Sequence, residues 1–241
     1  MFFMNKKIAE KIRHDVKEVY ELIADEFDVT RKTEWPEFKD FLKYIGNKTK
    51  VLDLGCGNGR FYDLLKSKKI DYLGIDNSSS MINKAKVNFP DAEFRLGDMV
   101  DLDIPNDSFD VVLSIASLHH IPSKHLRHKV VSEMNRVLKK RGILILTVWN
   151  LFQIKYLPYF FKSIISFFLH LGFKYGWNDL WLRWGNNPLK RYYHAFLPSE
   201  LLRYFKNNNW KIEEFYFVRK SFRVKFWHSY NICLIARKIK T

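Results

Sequence analysis

Asp53 is followed by glycines at three alternate positions, Gly55, Gly57 and Gly59, directly after the apolar run that opens at Val51. Glycine there removes the Cβ that would hold a ligand off the backbone, so the spacing suits a βα turn that presents main-chain N–H groups to a small molecule. Cys56 lies inside this turn and reads as a small residue that fits it; no base adjoins it to make a nucleophile. Two more carboxylates recur at matching intervals, Asp76 and then Asp98. A carboxylate at the end of a second strand can accept hydrogen bonds from both hydroxyls of a ribose, and one at the end of a third stands at the level of an adenine amino group. The interval G-x-G-x-G departs from the dinucleotide fingerprint G-x-G-x-x-G, and no Lys-Ser/Thr pair follows as a phosphate loop requires. Singly, each acid could serve as a turn or cap residue; their joint placement is the signal.

Such residues work together only if parallel strands deliver them to one edge of a sheet. Short apolar runs at 50–54, 72–75, 93–96, 111–115 and 143–148 read as buried strands, and 61–68, 80–88 and 124–140 between them as helices. The second helix opens after the cap signal Asn77-Ser-Ser-Ser80. Alternation pauses over 151–187, which holds 12 of the chain's 40 aromatic residues, and resumes with a helix at 198–207 and strands at 211–218 and 229–237 that can pair antiparallel. The pattern predicts an α/β, Rossmann-like, seven-stranded and mostly parallel sheet with helices on both faces, an antiparallel C-terminal strand pair and an aromatic-rich insertion after strand five. One domain over 1–241 accommodates it: a helical lid (1–45, packed through Tyr20, Leu22, Ile23, Phe27, Phe38, Phe41 and Leu42), a cofactor-binding core (48–150), the insertion (151–187) and a basic part completing the sheet (188–241).

The net charge of +15 is unevenly spread: residues 1–150 carry 25 basic and 22 acidic side chains, residues 151–241 carry 16 and 4. This asymmetry points to a polyanion, either nucleic acid or an anionic membrane surface, unless it is only a solvated Lys-rich face. With 47% hydrophobic residues the chain is not mostly disordered, and two cysteines exclude a disulfide framework and an all-cysteine zinc site; no metal is expected. The first residues turn charged after four positions and lack the apolar stretch of a secretory leader, so a cytoplasmic location is expected. The apolar run 163–173 falls short of the ~20 residues that span a bilayer, so no transmembrane segment is expected; flanked by Lys162 and Lys174, 151–187 suits peripheral contact with a membrane.

In the order Asp53-x-Gly55-x-Gly57-x-Gly59, Asp76, Gly97-Asp98, with Asp107-Ser-Phe-Asp110 leading into strand four, the sequence resembles the class I S-adenosylmethionine-dependent methyltransferases over roughly residues 48–150. The resemblance implies S-adenosylmethionine as cofactor, held by these acids and glycines with Cys56, Met99 and Ile115. Outside that core the sequence resembles the tRNA wobble-uridine methyltransferases that esterify 5-carboxymethyluridine. The likeness lies in Val19–Arg31 followed by Trp35-Pro36 (family Y-x-x-I-A-x-x-F-x-x-T-R, then W-P), in Ser114-Ile-Ala-Ser-Leu-His-His120, and in Arg191-Tyr-Tyr-His194 with Phe196. It implies tRNA as partner, and a small zinc-binding activator protein such as that family commonly works with.

The chemistry implied gives these residues roles. A carboxylate with a pKa near ~4 is ionised at neutral pH, so ester formation needs positioning and no general base. Arg31 and Arg191 are the expected carboxylate clamps, with His194 and His120 as secondary donors, since a guanidinium binds a carboxylate in a fixed orientation. Trp35 or Tyr193 would stack a flipped base, and Arg219, Lys220, Arg223 and Lys225 would track tRNA phosphates. The plainer reading makes Trp35 and Tyr192 core aromatics, Arg31 and Arg191 surface cations, and the C-terminal cations a solubilising hairpin. Two further functions stay open: a methyltransferase for a lipid, quinone or other apolar small molecule at a membrane surface, and a non-catalytic S-adenosylmethionine-binding RNA module.

Overall fold

The computed structural model describes residues 4–31, 36–169, 175–183, 188–206 and 209–239. Helix α1 (Lys6–Thr30) precedes a 3-10 segment, Pro36–Tyr44. Five strand units follow: β1 (Lys50–Leu54), α2 (Arg60–Leu65), β2 (Asp71–Asp76), α3 (Ser79–Asn88), β3 (Glu93–Leu96), β4 (Phe109–Ile115), α4 (Lys124–Val137) and β5 (Leu138–Trp149). The remainder comprises α5 (Leu157–Leu169), β6 (Asp179–Arg183), β7 (Lys190–His194), α6 (Pro198–Arg203), β8 (Trp210–Arg219), β9 (Phe222–Arg223) and β10 (Asn231–Lys238).

The main sheet runs β3-β2-β1-β4-β5-β10-β8-β9. The first five strands are mutually parallel, and β10, β8 and β9 are antiparallel to their neighbours. The seven strands expected are all present, and the two-residue β9 adds an eighth at the edge. Strand order reverses between β1 and β4, which opens a crevice at the carboxyl ends of the parallel strands, where an open α/β sheet takes its ligand. Alternate residues enter opposite layers. Leu52, Leu144 and Leu146 pack with Val130 and Met134 of α4, while Val51, Ile143 and Ile145 pack with Phe38, Phe61 and Ile82. Both faces are therefore covered, which is why these strands read as continuous apolar runs.

Two elements depart from the sequence reading. Helix α4 ends at Val137 and passes directly into β5, whose first residues, Leu138-Lys139-Lys140, were expected to be helical. The second departure is that β6 and β7 form a separate antiparallel hairpin within the segment where alternation pauses. Successive residues of β7 are buried in different clusters, Tyr192 with Ile12 and Val16 of α1, and Tyr193 with Leu151 and Phe160. No polar alternate position remains to mark a strand. Residues 170–174 and 184–187 of the insertion, and 207 of the predicted helix 198–207, lie outside the described residues.

Helix α1 begins at the cap Asn5, whose side chain accepts from Lys7 N at 2.8 Å, and buries Ile12, Val16, Val19 and Ile23. It is fastened over the sheet by Glu21, whose carboxylate accepts from the backbone N–H groups of Ser79 and Ser80, each at 2.7 Å, at the start of α3. An anion at a helix N-terminus meets both orphan donors and the positive end of the dipole. Burial works against the charge, but the bonds from Ser80 and Ser79 prevail and lower the Glu21 pKa to about 2. Its stabilising effect is therefore full above the ordinary Glu range, near 4.5, and is lost as pH falls through about 2. Glu21→Gln is expected to cost about 0.5–2 kcal/mol in urea denaturation at pH 7, with a smaller difference from wild type at pH 4. Equal stability of the two proteins at pH 7 would show that this contact does not fasten the helix.

Candidate functional site

The glycine turn is built by backbone conformation. Gly55, Gly57 and Gly59 all have left-handed φ, at 75°, 56° and 79°. A Cβ on Gly55 would lie 2.3 Å from Ser117 Oγ, so no other residue fits there. Gly55 N and Cys56 N both donate to Ile75 O, at 2.7 and 3.1 Å, tying the turn to β2. Gly57 N then donates to Asp76 Oδ2 and Ser78 N to Asp76 Oδ1, each at 2.9 Å. Asp76 is thus oriented from both sides. Burial raises its pKa, although the backbone N–H groups oppose the shift.

Asp53 is buried and accepts from Tyr72 Oη at 2.8 Å; burial first, and then the charge of Asp76, push its carboxyl up to about 7. Burial pushes the Cys56 thiol up as well, which suits a packing residue and not a nucleophile. At the end of β3, Asp98 Oδ1 accepts from Val100 N at 2.9 Å, and Oδ2 pairs with Arg13 of α1. Asp53, Gly55, Cys56, Gly57, Asp76, Asp98, Met99 and Ile115 all line one cleft of about 1170 Å³, counting its open mouth. Carboxylates able to accept from hydroxyls, apolar Met99 and Ile115, and backbone bared by glycine are the groups that recognition of an adenosine requires. Gly59 is not on this lining: a Cβ there would meet the Phe94 ring at 2.8 Å, so its role is to let α2 start close against β3.

The opposite wall comes from α1 and β7. Arg13, Val16, Tyr20 and Phe27 share one face of α1 and line the cleft, as do Arg31 just past its end, Arg191, His120 and Trp149. Arg191 Nη1 donates to Tyr20 Oη at 2.8 Å, Tyr20 Oη lies 2.9 Å from His120 Nε2, and His120 Nδ1 lies 2.8 Å from Tyr192 O. A carbonyl can only accept, so Nδ1 carries the proton, Nε2 accepts from the Tyr20 hydroxyl, and the Tyr20 oxygen receives Arg191. Burial and the Arg191 charge lower the His120 pKa to about 3, so the ring is neutral. The Arg191 guanidinium also lies over the Tyr20 ring at 5.1 Å and the Tyr193 ring at 5.3 Å.

Several expected roles are corrected by this geometry. Both ring nitrogens of His120 are engaged, so it is a support of Tyr20 and Arg191 and not a donor to an acceptor. His194 lies off the cleft lining, buried with Nδ1 at 2.8 Å from Asp179 and Nε2 at 2.7 Å from Glu200. Tyr193 is fully buried and stacks on Trp149 (centroids 5.3 Å apart, planes at 17°), so it backs the aromatic that faces the cleft instead of offering its own face. Trp35 lies outside the described residues.

Arg219, Lys220, Arg223 and Lys225 are exposed on the β8–β9 hairpin and not on the cleft wall; Arg223 pairs with Glu214. Register nevertheless brings the hairpin to the cleft's end of the sheet, because Trp149 is level with Asn231, and Asn231 with Val218. Sequence reading missed Arg13, Tyr20 and Trp149 as cleft residues. The signals were there in a polar-aromatic stripe at helical spacing, and in a Trp closing the last parallel strand.

A family profile described as a methyltransferase domain matches residues 52–146. A putative methyltransferase of Encephalitozoon cuniculi is 31% identical over 199 residues, covering 82% of this chain and 87% of that protein. A tRNA (carboxymethyluridine(34)-5-O)-methyltransferase of Arabidopsis thaliana is 34% identical over 144 residues, 60% of this chain but 35% of that protein, so the chain spans about a third of that relative's length. Among solved structures, a methyltransferase dependent on S-adenosylmethionine from Methanosarcina mazei superposes with TM-score 0.68 at 22% identity, over 84% of this chain and 98% of that one. A putative methyltransferase of Haloferax volcanii, solved in complex with the Trm112 methyltransferase activator, gives 0.64 at 18% identity, over 92% and 98%. These structures share the fold.

Asp76→Asn keeps one acceptor oxygen, enough for Ser78 N but not also for Gly57 N, and removes the charge offered to a ribose. S-adenosylmethionine binding, measured by calorimetry, is expected to weaken by about 1.5–3 kcal/mol with the fold retained. Unchanged affinity in the folded variant would contradict the assignment of Asp76 to the ribose.

Proposed function

We propose that this chain, which belongs to the class I S-adenosylmethionine-dependent methyltransferases, esterifies the carboxylate of a 5-carboxymethyl group on a wobble uridine of tRNA. The observation that carries this reading is that two guanidinium groups, Arg31 and Arg191, line the same cleft as the glycine turn and the acids. Burial and the nearby positive charge of Arg191 lower the Arg31 pKa, so an anion entering between them is favoured by both. The relatives named for carboxymethyluridine methylation supply such an anion as their acceptor.

S-adenosylmethionine is the cofactor, and when bound it supplies an electrophilic methyl group. The residues of the chain orient the other reactant. An ionised carboxylate is already a nucleophile, which agrees with a cleft whose histidine is neutral, hydrogen-bonded at both nitrogens and far from titrating at neutral pH. Arg191 is fixed by the Tyr20 hydroxyl and by two aromatic faces, so it gives the acceptor a defined direction and not merely a positive field. Alignment of this kind lowers a barrier by several kcal/mol. Trp149 offers a π-face for the extruded base, and the hairpin cations at the same end of the sheet offer contacts for phosphates. A cytoplasmic setting and an activator subunit of the Trm112 kind complete the reading; among the described residues no helix is long and apolar enough to cross a membrane.

The test exposes total tRNA to the enzyme, its activator and methyl-labelled cofactor. Label is expected in tRNA and is expected to leave under mild alkali, as an ester does. The single-turnover rate at saturating cofactor should stay nearly flat from about pH 6 to pH 8, since neither the acceptor nor His120 titrates there. Alkali-stable label, or a rising limb across that range, would replace the carboxylate by an acceptor that must lose a proton.

A further inference from the structure

Helix α5 is apolar on its outer side. It buries Phe160 and Ser163, and Ser163 Oγ donates to Gly176 O at 3.1 Å and Asp179 O at 2.8 Å. Leu157, Phe161, Ile165, Phe168 and Leu169 are exposed, with Phe161 at 67% and Phe168 at 70%, and Ile154 just before the helix is more exposed still. The outer face of a helix on a soluble domain ordinarily carries charge, whereas Lys162 is the only charged residue in α5.

The charge of the surroundings selects the occupant. Residues 151–178 and 215–231 together contain seven Lys and Arg and no Asp or Glu, and of the seven Arg223 is paired with Glu214 just outside them. The two segments meet: Phe152 packs on Phe226 at 5.8 Å, and the Tyr230 ring is approached by Lys155 at 5.9 Å and by Arg219 at 4.9 Å. The chain leading into the apolar helix is thus packed against the basic hairpin, which carries exposed Phe222 and Trp227. RNA would use the cations and stack bases on the rings, but would leave Leu157, Ile165 and Leu169 in water. An anionic bilayer uses both, with acyl chains under the helix and phosphate or carboxylate headgroups around the cations. Thirteen residues make a helix about 20 Å long, too short to span but suited to lie flat in the interface.

We propose that α5 docks this protein on anionic phospholipid membranes, lying flat at headgroup level with the β8–β9 cations on the lipid charges. This inference does not depend on the identity of the methyl acceptor. RNA and lipid would compete for the hairpin cations but not for α5, which separates the two. The experiment is co-sedimentation of the full chain with phosphatidylcholine vesicles, with and without phosphatidylserine, using wild type and the double variant Phe161→Ser/Phe168→Ser. Wild type is expected to bind the serine-containing vesicles about tenfold more strongly than the neutral ones. The variant should lose about tenfold or more of that binding while keeping its cofactor and tRNA affinities. Failure of wild type to bind, equal binding to neutral vesicles, or undiminished binding by a variant that still binds cofactor would each overturn the proposal. So would a concentration-dependent dimer that the double variant abolishes, which would assign the face to a second copy.

Discussion

The hydroxyl of Tyr20 joins three parts of the molecule that are distant in sequence. It lies against His120, 100 residues away, and against Arg191, 171 residues away. Its direction is fixed from beneath, because the Tyr192 carbonyl dictates the His120 tautomer and that tautomer dictates which way the Tyr20 proton points. Helix α1, the 3-10 turn Leu118–His120 that follows β4, and strand β7 are thereby committed to one arrangement. The cleft has a second wall, formed by α1 over the carboxyl ends of the strands, and this contact and the fastening of α1 by Glu21 and Arg13 hold that wall in place.

The strand that carries Arg191 is itself anchored from its other face. Asp179 accepts from Tyr192 Oη at 2.6 Å and approaches His194 Nδ1 at 2.8 Å, and Arg127 donates to Tyr204 Oη at 2.9 Å beside Glu200. Although burial works the other way, the bond and charge of His194 hold the Asp179 carboxyl below the usual carboxylate range. A buried network in which each member is satisfied rigidifies the element it spans. Here it stiffens a two-stranded hairpin that would be marginal alone, and so fixes the guanidinium on its opposite side.

This division of β7 explains what could and could not be read from the sequence. Asp53, Asp76 and Asp98 were legible because each falls at or within two residues of the end of a predicted strand, and the ends of parallel strands share an edge. The string Arg191-Tyr-Tyr-His194 was legible as a group but not as a geometry. On a strand, residues at odd spacing face opposite ways, so His194 and Tyr192 must turn toward Asp179 when Arg191 turns toward the cleft. That inference needed the strand, and the strand was hidden because its alternate residues are all buried. Tyr20 was read as a packing residue of an amphipathic helix, which it also is; only the tertiary pairing with Arg191 and His120 reveals the use of its oxygen.

The central claim is that positioning of Arg191 through Tyr20 governs transfer to the acceptor while cofactor binding rests on the glycine turn and the acids. Tyr20→Phe keeps the ring and its packing and removes only the oxygen. The most direct measurement is the single-turnover rate of methyl transfer to tRNA by this variant, beside its calorimetric affinity for S-adenosylmethionine. The account predicts a rate about tenfold lower or more with cofactor affinity near that of wild type. A wild-type rate, or a loss confined to cofactor affinity, would contradict it.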